Sequence, residues 1–155
     1  MTPTPPKWAE VLPRLGVVVR SARIWAVLFA AAFLTRTALD WRFPPVDFHA
    51  RSTVSTLVGI GLLLAAGLWT SMRSGSLLAG TCAGVAATAI GALISVVGAA
   101  GLLAIWHDPA TLAAIRASGG LGEVFELPVM MIVPGAVFGT IGGMVGATIT
   151  RLRST

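Results

Sequence analysis

The sequence predicts an all-α integral membrane protein, a four-helix bundle with glycine-zipper packing and a short interfacial helix between spans 3 and 4. Apolar residues make up 55% of the chain and charged residues only 11%, whereas about 25% of a typical soluble domain is charged. The uncharged run over residues 77–106 exceeds the length of about 20 residues that crosses a bilayer as a helix. The runs are apolar on all sides, whereas strands of membrane barrels alternate polar and apolar residues. Helices within a bilayer are therefore the predicted architecture.

The first segment predicts a mobile tail and then a helix with two main interpretations. Residues 1–13 contain four prolines, which oppose regular helix, so we expect a proline-rich tail ahead of one transmembrane domain over residues 14–155. A first span is predicted at about residues 20–40. Trp25 and Trp41 suit the two interfacial belts, and Arg36 and Asp40 are spaced to pair on one helix face. An amphipathic helix on the membrane surface is the main alternative, because the uncharged part covers only residues 24–35, and a cleaved signal peptide is a third.

The next two spans are predicted at residues 52–72 and 77–106. Arg51 and Arg73 bound the second span, and the short turn after Arg73 makes the two helices antiparallel neighbours. The third span carries Gly84, Gly91 and Gly98 at a seven-residue step. Small residues at this step place a narrow stripe along one side of the helix, where another helix can approach closely.

The fourth span is predicted at residues 128–150, after a polar connection that contains the short interfacial helix. Pro134 removes one hydrogen bond of the span, so we expect a kink there. Four small residues at a four-residue step form a ridge on one face: Gly135, Gly139, Gly143 and Ala147. We expect this ridge to be a packing surface around which the other helices are arranged, within one bundle or between subunits.

The positive charges predict an orientation in the membrane. If all four segments cross, both termini and the turn at Arg73 lie on the more basic side, and the positive-inside rule makes that side cytoplasmic. We expect an inner membrane of the bacterial type. The basic residues are scattered at the ends of apolar runs rather than gathered on one face, so no nucleic acid is expected as a partner.

The sequence predicts no catalytic residues, no cofactor and no metal site. The three later apolar runs contain no Asp, Glu, His, Lys or Arg, and catalysis needs titratable groups brought together. His49 and His107 fall on the same side in a four-span topology, but they lack the spacing of known metal sites, and whether they share any ligand stays open. We interpret Glu123 and Glu126 as residues of a solvated loop, with an entrance guard as the alternative.

These observations favour a non-enzymatic accessory or scaffold subunit that packs against other membrane proteins. Its expected partners are the lipid bilayer and either a membrane protein or further copies of this chain. The alternative is a small homo-oligomeric transporter or channel, whose pathway would be formed by hydroxyl residues. They are Thr81, Thr88, Ser95, Thr140 and Thr148. Hydroxyls in helices commonly bond to their own backbone, which makes such a pathway weak.

Overall fold

The computed structural model describes residues 7–43 and 48–153, and all regular secondary structure in this part of the chain is helical. The helices are α1 (Lys7–Arg42), α2 (Phe48–Ser74), α3 (Leu77–Ile105), α4 (Pro109–Ala117), α5 (Gly120–Met130) and α6 (Ile132–Arg153). Four segments are long and apolar enough to cross a membrane: Val18–Arg42, His49–Ser74, Leu77–Ile105 and Gly120–Arg153. The predicted all-α fold with four membrane-spanning helices is confirmed, and the chain is a multi-pass membrane protein.

Helix α1 begins earlier than predicted and packs inside the bundle. It starts at Lys7, so the tail predicted over residues 1–13 is wrong for residues 7–13, and residues 1–6 lie outside the described part. Pro13 removes only one backbone donor, which a helix of 36 residues can tolerate. Further along, Ala22, Ala26 and Phe29 are fully buried against neighbouring helices. Packing of this kind is that of a bundle helix rather than of one lying apart on the membrane surface.

The second and third helices, rather than the last, contact all the other long helices of the bundle. Helices α2 and α3 pack against each other and each packs against α1 and α6, whereas α6 packs mainly against α2 and α3. The buried residues of α3 are all Gly, Ala, Ser or Thr, and they face more than one neighbour. Small side chains on several faces allow several helices to approach closely. The expectation that the other helices are arranged around the α6 ridge is therefore wrong.

The last span is longer than predicted and is interrupted before its second proline. Pro128, which was expected to open the span, lies inside α5, and the helix breaks at Met131 before α6 begins. Pro134 has no N–H to offer the carbonyl of Met130, and the ring of a proline crowds the preceding turn. The interruption therefore falls three residues before Pro134, where a proline disturbs a helix.

A small aromatic and aliphatic core fills the bundle beside the glycine contacts. Phe29 and Phe33 of α1 stack with ring centroids 4.5 Å apart, and they pack with Leu63 of α2 and Met131. Trp41 is also inside, with only 2% of its surface exposed. It therefore packs into the bundle at the end of α1 instead of facing lipid.

Candidate functional site: a charged cluster that joins three helices

The end of α1 carries a buried ion pair that the helical spacing predicted. The Nε of Arg36 donates to Oδ2 of Asp40 at 3.2 Å, one turn along the helix. The two side chains are only 8% and 5% exposed. Charges removed from water in this way require partners on every side, because an unpaired ion in a medium of low polarity is costly.

Those further partners come from α2 and α5. Arg51 of α2 donates from Nη1 to Oδ1 of Asp40 at 2.8 Å, and Arg36 donates from Nη2 to Oε1 of Glu123 at 2.8 Å. The same Glu123 oxygen accepts from the hydroxyl of Ser52 at 3.2 Å. Since Arg51 and Ser52 are adjacent on α2, the five side chains close a ring through α2, α1 and α5. We call Arg36, Asp40, Arg51, Ser52 and Glu123 the charged cluster.

The charged cluster is electrically balanced and open to solvent on one side. Two guanidinium groups face two carboxylates, while the side chains of Arg51 and Glu123 are 31% and 26% exposed. Each arginine uses its fixed fork of donors to hold acceptors in place, which a lysine could not do with the same geometry. Removing one member would leave a charge in poor solvent, so the cluster fixes α5 against α1 and α2.

Two aromatic residues lie near this end of the bundle. The guanidinium of Arg42 lies 5.8 Å from the ring centroid of Trp106, within the range of a cation–π contact. Among the side chains that the structure describes, the indole nitrogen of the buried Trp41 is the one buried nitrogen or oxygen without a hydrogen-bond partner. Arg42 is exposed and is the last residue of α1.

The side chains of the charged cluster are engaged with one another. Within the described part of the chain, no group of three or more His, Cys, Asp or Glu residues is placed to hold a metal ion. A groove of about 390 Å³ runs from the cluster between α1 and α2, and Ala31, Thr35 and Val54 are among its lining residues. This groove is a space beside the charged cluster in which another molecule could lie.

The charged cluster corrects the sequence expectation for Glu123. Glu123 is not part of a solvated loop: it lies in the first turn of α5 and is paired with Arg36. Arg51 likewise contacts Asp40, so neither residue is expected to tolerate neutral substitution freely. Glu126 is exposed, as a solvated residue would be. Helical spacing gives Arg36 with Asp40, but no sequence signal links Arg36 to Glu123, because 87 positions separate them.

The two histidines are exposed side chains at the same end of the bundle. His49 lies in the first turn of α2. His107 follows α3, and its Nδ1 lies 3.2 Å from the carbonyl oxygen of Ala104. Beside it, Asp108 caps α4 by accepting from the amides of Ala110 and Thr111. The hydrogen bonds from Thr111, foremost that of its hydroxyl, lower the pKa of the Asp108 carboxyl.

Three of the ridge glycines on α6 face α3 at close distance, and one of them, Gly143, also faces α2. A methyl group on Gly139 would lie 3.0 Å from Cα of Gly84, and one on Gly135 would overlap the hydroxyl of Thr88. A methyl group on Gly143 would lie 3.0 Å from Oγ of Ser71 and 3.2 Å from the carbonyl oxygen of Leu77. The contacts of Gly135, Gly139 and Gly143 thus lie within one chain.

The other predicted packing residues have different neighbours. A methyl group on Gly91 would lie 2.8 Å from the ring of Phe29, and one on Gly98 would lie 2.7 Å from Leu34, so both face α1 rather than α6. A seven-residue step drifts around a straight helix by about 20° per repeat, which turns the stripe from one neighbour to the next. Ala147 is half-buried and lines an open groove of about 210 Å³.

The hydroxyl residues of the transporter alternative are bonded within the bundle. Thr88 is fully buried and donates to the carbonyl of Gly84 at 2.6 Å, and Ser95 is 3% exposed and donates to the carbonyl of Gly91. Thr140 and Thr148 also donate to carbonyls one turn back. The hydroxyl oxygens of Thr81 on α3 and Thr140 on α6 lie 2.9 Å apart. Buried hydroxyls that bond to their own helix are structural.

Comparison of the chain with protein-family models, with curated proteins and with solved structures finds no match.

Proposed function

We propose that the protein is a non-enzymatic accessory or scaffold subunit that packs against another membrane protein. The observation that supports this most is that the members of the charged cluster are bonded to one another. The charged cluster joins α1, α2 and α5, and the glycines of α3 and α6 meet at backbone distance. The bundle is therefore a rigid unit, and other molecules would bind at its outer surface.

The groove between α1 and α2 is the surface that best suits a helix of a partner. It is lined by small or β-branched residues such as Ala31, Thr35 and Val54, and it ends at Arg36 and Arg51. Small residues are what transmembrane helices use for close approach, since lipid provides no hydrophobic drive for association. A transmembrane helix with a polar or acidic group near its end would meet both the groove and the partly exposed Arg51.

A matched pair of variants tests this proposal in the native membrane. Ala31→Leu fills the groove at an exposed position, whereas Ala100→Leu adds the same bulk at an exposed position on α3, away from the groove. The expected result is a stoichiometric partner that co-purifies in mild detergent with the wild type and with Ala100→Leu, but not with Ala31→Leu. Recovery of the same partner with all three chains contradicts the groove as docking site.

The same preparation separates the accessory subunit from a homo-oligomeric transporter or channel. A mass corresponding to several copies of this chain, with no other protein present, would favour the alternative. Thr88 and Ser95 lie inside the protomer and cannot line a pathway between subunits without repacking. An accessory subunit instead gives a complex of unlike chains.

We further propose a bacterial inner membrane with both termini in the cytoplasm. In support, one end of the described bundle carries five arginines, namely Arg20, Arg23, Arg73, Arg151 and Arg153. We call this the basic end, and the positive-inside rule assigns it to the cytoplasm. An inactive C-terminal alkaline phosphatase fusion is expected, and an active one would contradict the orientation.

A further inference from the structure

A second pocket between α1 and α2 lies at the basic end, far from the charged cluster. It has a volume of about 400 Å³ and is lined by Arg20, Ser21, Ile24, Trp69 and Arg73. Volumes of about 300 to 1,000 Å³ are typical of ligand sites. The pocket brings two arginines from different helices to one small space, although 53 positions separate them in the chain.

The arginines of this pocket lack the partners that the other end provides. At the charged cluster, Arg36 and Arg51 both have carboxylate partners. At the basic end, no side chain that the structure describes carries a carboxylate, and neither Arg20 nor Arg73 has an ion pair among the described residues. Two guanidinium groups beside an apolar bundle form a site for an anion, and phosphate matches their fork of donors.

Two further side chains shape the pocket for a headgroup at the membrane surface. The guanidinium of Arg73 lies 4.6 Å from the ring centroid of Trp69, which orients it and shields one face from water. Tryptophan is enriched at the depth of the lipid headgroups. The hydroxyl oxygens of Ser21 and Thr70 lie 2.6 Å apart, and either can donate. When Thr70 donates, the proton of Ser21 is available to an oxygen in the pocket.

The pocket continues into an apolar groove on the outer face of α1. Ile24 lines both spaces, and beyond it Arg23, Val27 and Leu28 line a shallow groove of about 340 Å³. Ile24, Val27 and Leu28 are 62%, 58% and 45% exposed. A charged pocket joined to an apolar groove has the polarity of a phospholipid, with the phosphate at one end and an acyl chain at the other. A free phosphate would use only the first part.

We propose that this pocket binds an anionic phospholipid, with the phosphate between Arg20 and Arg73 and an acyl chain along Ile24, Val27 and Leu28. Basic pockets between transmembrane helices on the cytoplasmic side are a known arrangement for anionic headgroups. The site is independent of the groove at the charged cluster, so it stands or fails separately from the accessory role. It gives the protein a specific lipid ligand on the same two helices.

Native mass spectrometry of the full-length protein in detergent tests the proposal. Phosphatidylglycerol or phosphatidylcholine is titrated into the wild type and into Arg20→Gln with Arg73→Gln. The wild type is expected to retain phosphatidylglycerol in preference to phosphatidylcholine. The double variant should bind phosphatidylglycerol at least about tenfold more weakly, since charge-assisted hydrogen bonds to the phosphate are lost.

A control with the same net charge makes the result specific. Arg151→Gln with Arg153→Gln removes two arginines from the same end, outside the pocket, and should retain the wild-type affinity. An equal loss in both double variants would mean general attraction to a basic surface and would overturn the proposal. Arg20→Lys with Arg73→Lys keeps the charge and the fold, so full affinity in that variant would refute the requirement for guanidinium geometry.

Soluble phosphate distinguishes a lipid site from a phosphate site. Inorganic phosphate and glycerol 3-phosphate are added as competitors at the concentration of phosphatidylglycerol. Weak competition is expected, because neither reaches the groove beyond Ile24. Displacement of the lipid at equal concentration would overturn the acyl-chain part, and Val27→Ser with Leu28→Ser should weaken lipid binding while leaving any phosphate binding unchanged.

Discussion

Replacement of Gly84 by alanine tests whether close backbone packing holds α3 and α6 together. The added methyl group would overlap the carbonyl oxygen of Gly135 and would lie 2.8 Å from Cα of Gly139. These are backbone atoms, which cannot rotate away as a side chain can. Helix α6 must therefore move outward along the whole contact. We expect this substitution to destabilise the bundle more than any alanine placed on its outer surface.

The expected magnitude follows from two opposing terms. Alanine in place of glycine within a helix is favourable by about 0.5 to 1 kcal/mol. Overpacking of a close contact costs about 1 to 3 kcal/mol. At Gly101, on the same helix, nothing lies within 4 Å of an added methyl group, so only the favourable term applies. Because the favourable term is common to both variants, Gly84→Ala should be less stable than Gly101→Ala by the overpacking cost alone, about 2 kcal/mol.

Thermal unfolding of the purified variants in one detergent measures this difference. Gly139→Ala should fall between the two, because its methyl group would lie 3.0 Å from Cα of Gly84 and 3.1 Å from the carbonyl of Gly80. Gly61→Ala serves as a second open control on α2. Equal stability of Gly84→Ala and Gly101→Ala would refute the packing argument. A change of oligomer size with unchanged stability would place the contact between subunits.

The remaining predictions concern the ridge, the charged cluster and the cap of α4. Gly139→Leu should destabilise strongly, whereas Val137→Leu, at a position 50% exposed, should be silent in the same unfolding assay. Arg36→Gln should lower the free energy of unfolding, measured with denaturant, by about 3 kcal/mol, because a buried ion pair loses one partner. Glu123→Gln should lower it by about 1 kcal/mol, because the side chain of Glu123 is partly solvated. A larger loss of stability for Glu123→Gln than for Arg36→Gln would contradict this order. Asp108 has a pKa below its ordinary value of 3.8, so its capping contribution is present above that pH and is lost as the pH falls through the lowered value. The protection of the α4 amides against hydrogen exchange, relative to the intrinsic exchange rate at each pH, should therefore fall in acid, and unchanged protection would contradict the cap.

Local patterns in the sequence were sufficient for the class of fold and for contacts within one helix. The apolar runs predict four spans because a bilayer accepts only long uncharged helices. The pair of Arg36 with Asp40 follows from the four-residue helical spacing. The segment boundaries were less accurate, as Pro13 lies within α1 and α5 begins at Gly120, eight residues before the predicted start. A proline marks a disturbance of a helix but does not by itself say whether the helix ends.

Contacts between helices depended on the tertiary structure. The sequence places Glu123 in a loop, but in the structure α5 positions it beside Arg36. The sequence likewise gives Arg20 and Arg73 as charges that flank separate spans, but α1 and α2 bring them to one pocket. The rotation of each helix about its axis determines which side chains come into contact. A helix that is apolar on all sides does not specify one rotation over another. Gly91 shows the same limit, since its spacing matches Gly84 but its neighbour is Phe29 of α1. The sequence by itself thus determined the membrane and the helices, while the packing of backbone against backbone decided which residues share a site.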